Sequence, residues 1–212
     1  MPSTAQLLAL IVASLILLAI PGPSVLFIVS RSVTLGRTAG LMTVVGNAAG
    51  EALQVIAVAL GLGALMEQSL AVFTIVKLAG AAYLIYLGIQ TVRHRGSLIS
   101  SLAAVPRSAT RRRVMLDGAF VGVTNPKSIV FFAAILPQFV NRASSDVSLQ
   151  ILVLGATFIA TALLSDSTWA LSAGTARLWL AREPKRLELM GGAGGLAMIG
   201  IGAALGLNGR KP

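Results

Sequence analysis

The run Asn125–Val140, with the sequence NPKSIVFFAAILPQFV, is apolar except for an asparagine, a lysine, a serine and a glutamine, and it contains two prolines. A second run, Pro21–Phe27 with the sequence PGPSVLF, matches its beginning. Pro23–Phe27 aligns with Lys127–Phe131, so position 23 corresponds to position 127 at an offset of 104 residues. Helices broken by proline or glycine at corresponding positions of two halves are typical of the binding sites of membrane transporters. The two runs therefore predict a transporter whose ligand binds between them.

The composition indicates a membrane protein. Of the 212 residues, 56% are hydrophobic and 11% are charged, and the mean hydropathy is +0.86. Soluble domains carry about a quarter charged residues. The chain has no cysteine and a single histidine, His94, which excludes thiolate and multi-histidine metal sites, and we expect no cofactor. The net charge of +10 does not indicate nucleic-acid binding, because the basic residues lie between apolar runs, as topology signals do.

Six apolar segments are each long enough to cross a bilayer, which takes about 20 helical residues. They cover roughly 4–29, 39–65, 69–91, 114–139, 147–173 and 187–207. The predicted fold is an all-α integral membrane protein with a single transmembrane domain over residues 1–212. It consists of a first repeat at about 1–92, a basic loop at 93–113 and a second repeat at about 114–212. Because three helices per half is an odd number, the halves should enter the membrane in opposite directions, as inverted repeats do.

The basic residues predict the orientation. One set of connecting loops carries Arg31, Arg37, Arg93, Arg95, Arg107, Arg111, Arg112, Arg113, Arg177, Arg182, Lys185 and Arg186. The opposite face carries Arg142, Arg210 and Lys211. By the positive-inside rule the first face, with the 93–113 loop, is cytoplasmic, and both termini are external.

Glycine pairs at four-residue spacing predict where helices pack closely, since small residues let backbones approach in a membrane. The pairs are Gly46 and Gly50, Gly191 and Gly195, and Gly202 and Gly206.

Two proline motifs predict helix breaks. Pro21-Gly22-Pro23 should break the first helix, and Asn125-Pro126 the fourth, because proline lacks an N–H group and crowds the preceding turn. The half-helix that starts near Ser24 presents N–H groups without intrahelical partners, a partly positive end suited to an anion. Lys127 adds a full charge at the second break. The alternative is two kinks whose freed carbonyls are bound by neighbouring helices or hydroxyls.

A polar stripe on the second helix supplies the opposite charge. Thr43, Asn47, Gly50, Glu51 and Gln54 follow a spacing of three and four residues, which places them on one helix face. A carboxylate halfway along a membrane helix is expensive, so Glu51 is a candidate for substrate or proton binding, the alternative being a structural ion pair with Lys127 or Lys77. Asp166 is a second proton-coupling candidate that faces either the bundle or the cytoplasmic interface. The candidate substrate-binding residues are Pro21, Gly22, Pro23, Ser24, Asn47, Glu51, Asn125, Pro126 and Lys127.

Motifs along nearly the whole chain resemble the lysine exporter family of amino-acid efflux proteins, with its homoserine/threonine and leucine exporter branches. They are Pro21-Gly22-Pro23 with Arg31 and Gly36, Gly80–Gly88, Gly118, Asn125-Pro126-Lys127, Phe131-Phe132, Leu136–Val140, and Asp166 with Trp169. The resemblance implies a proton-motive-force-linked exporter of amino acids or similar metabolites in a bacterial inner membrane. The Glu51 stripe is not among these motifs and depends on the physical argument alone.

Together these features predict a secondary transporter that expels amino acids or related metabolites in exchange for protons. The half-helix ends and Lys127 would hold the substrate carboxylate, and Glu51 with Asp166 would receive its ammonium group or the proton. The expected partners are a small-molecule substrate, protons and the lipid bilayer, with a homodimer left open. One alternative is a small-ion permease or channel. An intramembrane enzyme is disfavoured because the chain lacks an activated nucleophile with its base.

Overall fold

A computed structural model of the chain describes residues 1–19, 22–68, 70–93, 109–141, 146–181 and 183–207. Within these residues the only regular secondary structure is helical. The helices are α1 Thr4–Ala19, α2 Pro23–Leu35, α3 Arg37–Gln68, α4 Leu70–Arg93, α5 Arg111–Thr124, α6 Pro126–Phe139, α7 Val147–Ala181 and α8 Pro184–Leu207. The helical class and the two predicted breaks are confirmed, while Pro21 and most of the 93–113 loop lie outside the described residues.

Both breaks are sharp bends. The axes of α1 and α2 differ by 60°, and those of α5 and α6 by 43°. Over the described residues, Arg37–Gly61 and Val147–Ala173 are each long and apolar enough to cross a membrane, and the spans number up to four if each bent pair counts as one. Exposed leucines such as Leu60 and Leu164, each 74% accessible, give the outer surface the apolar character that lipid requires.

The boundaries of the first bent pair follow from its proline and glycine residues. Pro23 lies in the first turn of α2, where its missing N–H costs no hydrogen bond. Gly36 ends α2 with a φ of +92°, a conformation that a side chain would strain. Helix α3 begins at the next residue, so the chain turns there without a linker.

Helix α6 changes type along its length. It is α-helical over Pro126–Val130, π-helical over Phe131–Ile135 and 3-10 helical over Leu136–Phe139. Pro137 cannot donate a backbone hydrogen bond to the turn before it, which accounts for the loss of α-helical geometry. The Gln138 side chain donates instead to the carbonyl of Ala134 at 3.1 Å.

Three phenylalanines form the centre of the core. The Phe158 ring of α7 lies 4.6 Å from the Phe131 ring and 4.9 Å from the Phe132 ring, measured between centroids. All three side chains are almost completely buried. They fix α6 against α7 directly behind the second break.

Close backbone contacts at glycine join α3 to α5 and α4 to α8. A Cβ atom at Gly50 would lie 2.3 Å from the Ala119 carbonyl oxygen, and one at Gly122 would lie 2.2 Å from the Asn47 carbonyl oxygen. The contact is reciprocal, so neither helix accepts a side chain there. Similar contacts at Gly195 and Gly202 join α8 to α4. The predicted close packing is confirmed at Gly46, Gly50, Gly195 and Gly202, whereas a Cβ at Gly206 would have an ordinary contact, 3.9 Å from Ala81.

Candidate functional site

A small buried cavity lies where the two helix breaks meet α3 and α7. Its volume is about 10 Å³, close to the space that one water molecule occupies. It is lined by Leu17, Leu18, Ser24, Val25, Glu51, Asn125, Lys127, Ser128, Phe158 and Asp166. An amino acid is much larger than one water molecule, so this arrangement is a closed one.

The first break contributes mainly backbone groups. In an uninterrupted helix the carbonyl of Leu17 would accept from the N–H of residue 21, which is proline and has none. The Lys127 ammonium group donates to this carbonyl instead. Gly22 lies beside the lysine, and a Cβ there would make ordinary contacts, 3.4 Å from Lys127 Cδ and 3.8 Å from its Nζ. Helix α2 then begins without a side-chain cap, so its first N–H groups are left for another acceptor.

The second break contributes side chains. Asn125 Oδ1 accepts from the backbone N–H of Lys127 at 3.1 Å and so caps α6. The amide nitrogen of the same residue donates to Ser24 Oγ at 2.7 Å, which ties the start of α6 to the start of α2. Ser128 Oγ donates to the carbonyl of Asn125 at 3.2 Å. One asparagine thus holds both half-helices in place.

Two carboxylates face the lysine across the cavity. Glu51 and Asp166 are each 3% exposed. Asn47 Nδ2 donates to Glu51 Oε1 at 3.3 Å, whereas Glu51 Oε2 and Asp166 Oδ1 have no hydrogen-bond partner among the described residues. A buried polar oxygen without a partner is costly, so each is a candidate acceptor for a ligand or a proton.

The close packing of α3 on α5 holds Glu51 beside the second break. Gln54, one turn after Glu51, donates from its amide nitrogen to the carbonyls of Gly122 and Val123, each at 2.9 Å. These are among the last carbonyls of α5, and the Gly122 carbonyl also accepts from the backbone N–H of Asn125 at 3.3 Å. Gln54 therefore acts as a structural anchor at the end of the polar stripe.

The cavity brings together most of the residues singled out from the sequence. Five of them line it: Ser24, Glu51, Asn125, Lys127 and Asp166. Gly22 touches Lys127, and Asn47 lies behind Glu51. Pro23 and Pro126 start their helices without lining the cavity. Pro21 and the side chain of Lys77 lie outside what the structure describes.

Sequence reasoning missed other participants. Leu17 and Phe158 are apolar and carry no signal that separates them from other core residues. Ser128 aligns with Ser24 at the offset of 104, and this correspondence could have identified it. Arg31 was assigned to a loop, but it lies within α2, only 4% exposed, and pairs with Asp117 at 2.7 Å.

The charged residues of this site suit a small molecule that carries one positive and one negative group. The cavity is lined by the Lys127 cation, by Ser24 at the uncapped start of α2 and by two carboxylates. Among the described residues no group of three histidine, cysteine, aspartate or glutamate side chains could hold a metal ion.

Comparison with known proteins finds relatives among transporters. The family model described as LysE type translocator matches residues 15–209. The homoserine/homoserine lactone efflux protein of Salmonella typhimurium is 34% identical over 93% of this chain and 94% of its own length. An uncharacterized membrane protein of Vibrio cholerae is 33% identical over 93% of this chain and 95% of its own length. The leucine efflux protein of Enterobacter sp. is 26% identical over 92% of each chain.

No solved structure matches the chain significantly. The family match covers nearly all of the chain, and a relative above 30% identity aligns along almost its whole length. The chain therefore belongs to the LysE type translocator family and is a membrane transporter, not an enzyme.

Proposed function

We propose that this protein exports amino acids or closely related metabolites across the bacterial inner membrane in exchange for protons. The observation that carries the proposal is the buried cavity at the two helix breaks, which is lined by Lys127, Glu51 and Asp166. One relative is named for the efflux of homoserine and homoserine lactone, and another for the efflux of leucine. All three compounds have an amino group, and homoserine and leucine also have a carboxylate.

The substrate carboxylate is proposed to bind at the start of α2 beside Lys127. The uncapped N–H groups of α2 and the helix dipole favour an anion there. Lys127 contributes its positive charge, which a hydrogen bond to the Leu17 carbonyl does not neutralise. Asn125 caps α6 with its own side chain, so the start of α6 is the less available of the two.

The substrate ammonium is proposed to bind Glu51 and Asp166. An ionised carboxylate buried among apolar side chains requires a cation or a proton as partner. When the ammonium group leaves on the external side, a proton can take its place on the carboxylate. Competition between these two partners would couple export to the proton gradient.

Export requires the cavity to open to each side in turn, because its present volume of about 10 Å³ excludes an amino acid. Six spans in two inverted repeats would provide such alternating access. The helix contacts support this arrangement. An inverted repeat would make α1 equivalent to α5, α3 to α7 and α4 to α8. Helix α1 packs on α7, and the equivalent pair, α5 and α3, also packs together. The pairs α3–α7 and α4–α8 are each equivalent to themselves, and both are in contact.

An efflux assay tests the proposal. A strain that overexpresses the protein should accumulate homoserine, leucine or another amino acid in its medium, compared with a strain carrying the empty vector. In proteoliposomes of purified protein, an unlabelled amino acid inside should drive uptake of the same labelled amino acid. Ion conductance without such exchange would instead indicate a permease or channel.

The proposed topology places both termini outside and the 93–113 loop in the cytoplasm. The chain has no native cysteine, so single cysteines can be introduced and labelled in intact cells. Glu67→Cys should react with an impermeant thiol reagent, and Ser100→Cys should not. The reverse pattern would overturn the orientation. A homodimer stays a prediction that cross-linking of the same variants can test.

A further inference from the structure

A second cavity lies between α2 and α5, apart from the central one. Its volume is about 510 Å³, which is large enough for a small organic group. It is lined by Phe27, Arg31, Arg113, Leu116, Asp117, Phe120 and Val121. None of these residues lines the central cavity. The two cavities are therefore separate sites.

Arg31 lines this cavity, is almost completely buried, and makes hydrogen bonds with only part of its guanidinium group. Its NH2 group donates to Asp117 at 2.7 Å, and its guanidinium carbon lies 5.0 Å above the Phe27 ring centroid. Its Nε and NH1 atoms are buried and have no hydrogen-bond partner among the described residues. Asp117 is thus the acceptor of Arg31 among the described residues, and two further donors of this buried cation are unsatisfied.

The charges around the cavity favour an anion as its ligand. Asp117 is shared between Arg31 and Arg113, at 2.7 and 2.8 Å, so two guanidinium groups face one carboxylate. The neighbouring Arg111 and Arg112 are exposed and add to the positive potential near the start of α5. Guanidinium groups bind phosphate oxygens well because their donors form a fixed fork.

The outer wall of the cavity is apolar and open. Leu116 and Phe120, one helical turn apart on α5, are 56% and 68% exposed. A ligand with only a charged group would leave this wall uncovered. A ligand with a phosphate and hydrocarbon chains would cover both parts of the cavity.

We propose that this cavity binds the headgroup of an anionic phospholipid, with the phosphate on Arg31 and Arg113 and the acyl chains along Leu116 and Phe120. Basic pockets between membrane helices bind such headgroups in other membrane proteins. The lipid would bridge α2 and α5, which belong to different halves of the chain. The inference is independent of the transported substrate.

Native mass spectrometry of the purified full-length protein tests the proposal. Phosphatidylglycerol should bind at least tenfold more tightly than phosphatidylethanolamine. Arg113→Gln should weaken phosphatidylglycerol binding about fivefold, because it removes a guanidinium group that lines the cavity and would bind the phosphate directly. Arg112→Gln is the matched control, because Arg112 is an exposed arginine in the same run that does not line the cavity. It should change binding by less than twofold.

Two further variants and a competition experiment complete the test. The competition separates the lipid from soluble anions, and the exposed Phe120 gives a second variant if Arg31→Gln fails to fold. Arg31→Gln should remove the preference for phosphatidylglycerol, and Phe120→Ser should weaken phosphatidylglycerol about as much as Arg113→Gln. Soluble glycerol 3-phosphate should not displace the lipid at equal concentration. Equal effects of Arg112→Gln and Arg113→Gln would overturn the proposal in favour of diffuse attraction. Displacement by glycerol 3-phosphate, homoserine or leucine would assign the cavity to a soluble anion instead.

Discussion

The two helix breaks have similar sequences but contribute different groups to the site. At the first break, α1 ends with a carbonyl that Pro21 leaves without a partner, and α2 begins without a side-chain cap. At the second break, Asn125 caps the following helix and Lys127 extends toward the first break. The first break thus provides the acceptors, the Leu17 carbonyl and the Ser24 hydroxyl, and the second provides the side chains that donate to them.

This difference teaches that neither half contains a complete site. The Asn125 amide donates to Ser24 and the Lys127 ammonium group donates to Leu17, so in these two hydrogen bonds the donor belongs to the second half. The anion-binding end that we propose combines the uncapped start of α2 with the lysine of α6. The opposite charge comes from Glu51 on α3 and Asp166 on α7, outside both breaks.

The largest expected effect tests this division of charge between the breaks and the two carboxylates. Glu51→Gln keeps the size of the side chain and its hydrogen bond from Asn47 but removes the charge. We expect the variant to fold and insert, to bind substrate more weakly, and to lose export driven by an imposed proton gradient. Transport in proteoliposomes with and without that gradient measures the loss.

Glu183→Gln is the control for this experiment, because Glu183 is exposed at the start of α8 and does not line the cavity. It should export like the unmodified protein. If Glu51→Gln also exports normally at every external pH, the carboxylate has a structural role only.

A smaller effect is expected at the asparagine that joins the breaks. Asn125→Ala removes the cap of α6 and the hydrogen bond to Ser24, so it should lower the free energy of unfolding by about 1–3 kcal/mol. It should also weaken substrate binding, because the start of α2 loses its support. Thermal unfolding in detergent and a binding titration measure the two losses.

Thr110→Ala provides the matched comparison. Thr110 caps α5 from an exposed position, accepting from the N–H of Arg113 at 3.3 Å. Its loss should cost about 1 kcal/mol of stability and leave binding unchanged. Weakened binding in both variants would mean that any loosened helix end disturbs the site.

The smallest expected effect compares the two serines that occupy equivalent positions. Ser24→Ala leaves the buried Asn125 amide without its acceptor, at a cost of about 1–2 kcal/mol. Ser128→Ala should cost less than about 1 kcal/mol, because the Asn125 carbonyl still accepts from the N–H of Ile129 at 3.0 Å. Equal losses of thermal stability would contradict the different roles assigned to the two breaks.

Local sequence rules were sufficient to predict the helices and the breaks. Proline changes backbone geometry wherever it occurs, so the helix starts at Pro23 and Pro126 follow from single residues. The first apolar segment is predicted to end at about residue 29, whereas α2 continues to Leu35. Glu51 could be selected because a carboxylate within an apolar helix is costly and therefore conspicuous. These features need no knowledge of what packs against them.

Pairing across the breaks could not be predicted in the same way. That Lys127 binds the carbonyl of Leu17, and that Asn125 binds both Ser24 and its own helix, depends on the distance between the two half-helices. The burial of Arg31 was missed because an arginine near the end of an apolar run usually marks a loop. Its partner Asp117 lies 86 residues away along the chain, beyond any local pattern.

The central claim is that Lys127 from the second break contacts the substrate carboxylate at the first. Lys127→Met removes the charge and roughly preserves the length of the side chain, and Lys185→Met, at an exposed position on α8, is the control. The affinities of the best-bound amino acid and of its amide are measured on each purified protein, as a double-mutant cycle in which the substrate is one partner. On the unmodified protein and on Lys185→Met, amidation should reduce affinity about tenfold to hundredfold, the contribution of one charged hydrogen bond. On Lys127→Met it should reduce affinity by no more than about twofold. The same loss on all three proteins would contradict the claim, and Lys127 would then serve only to hold the broken end of α1.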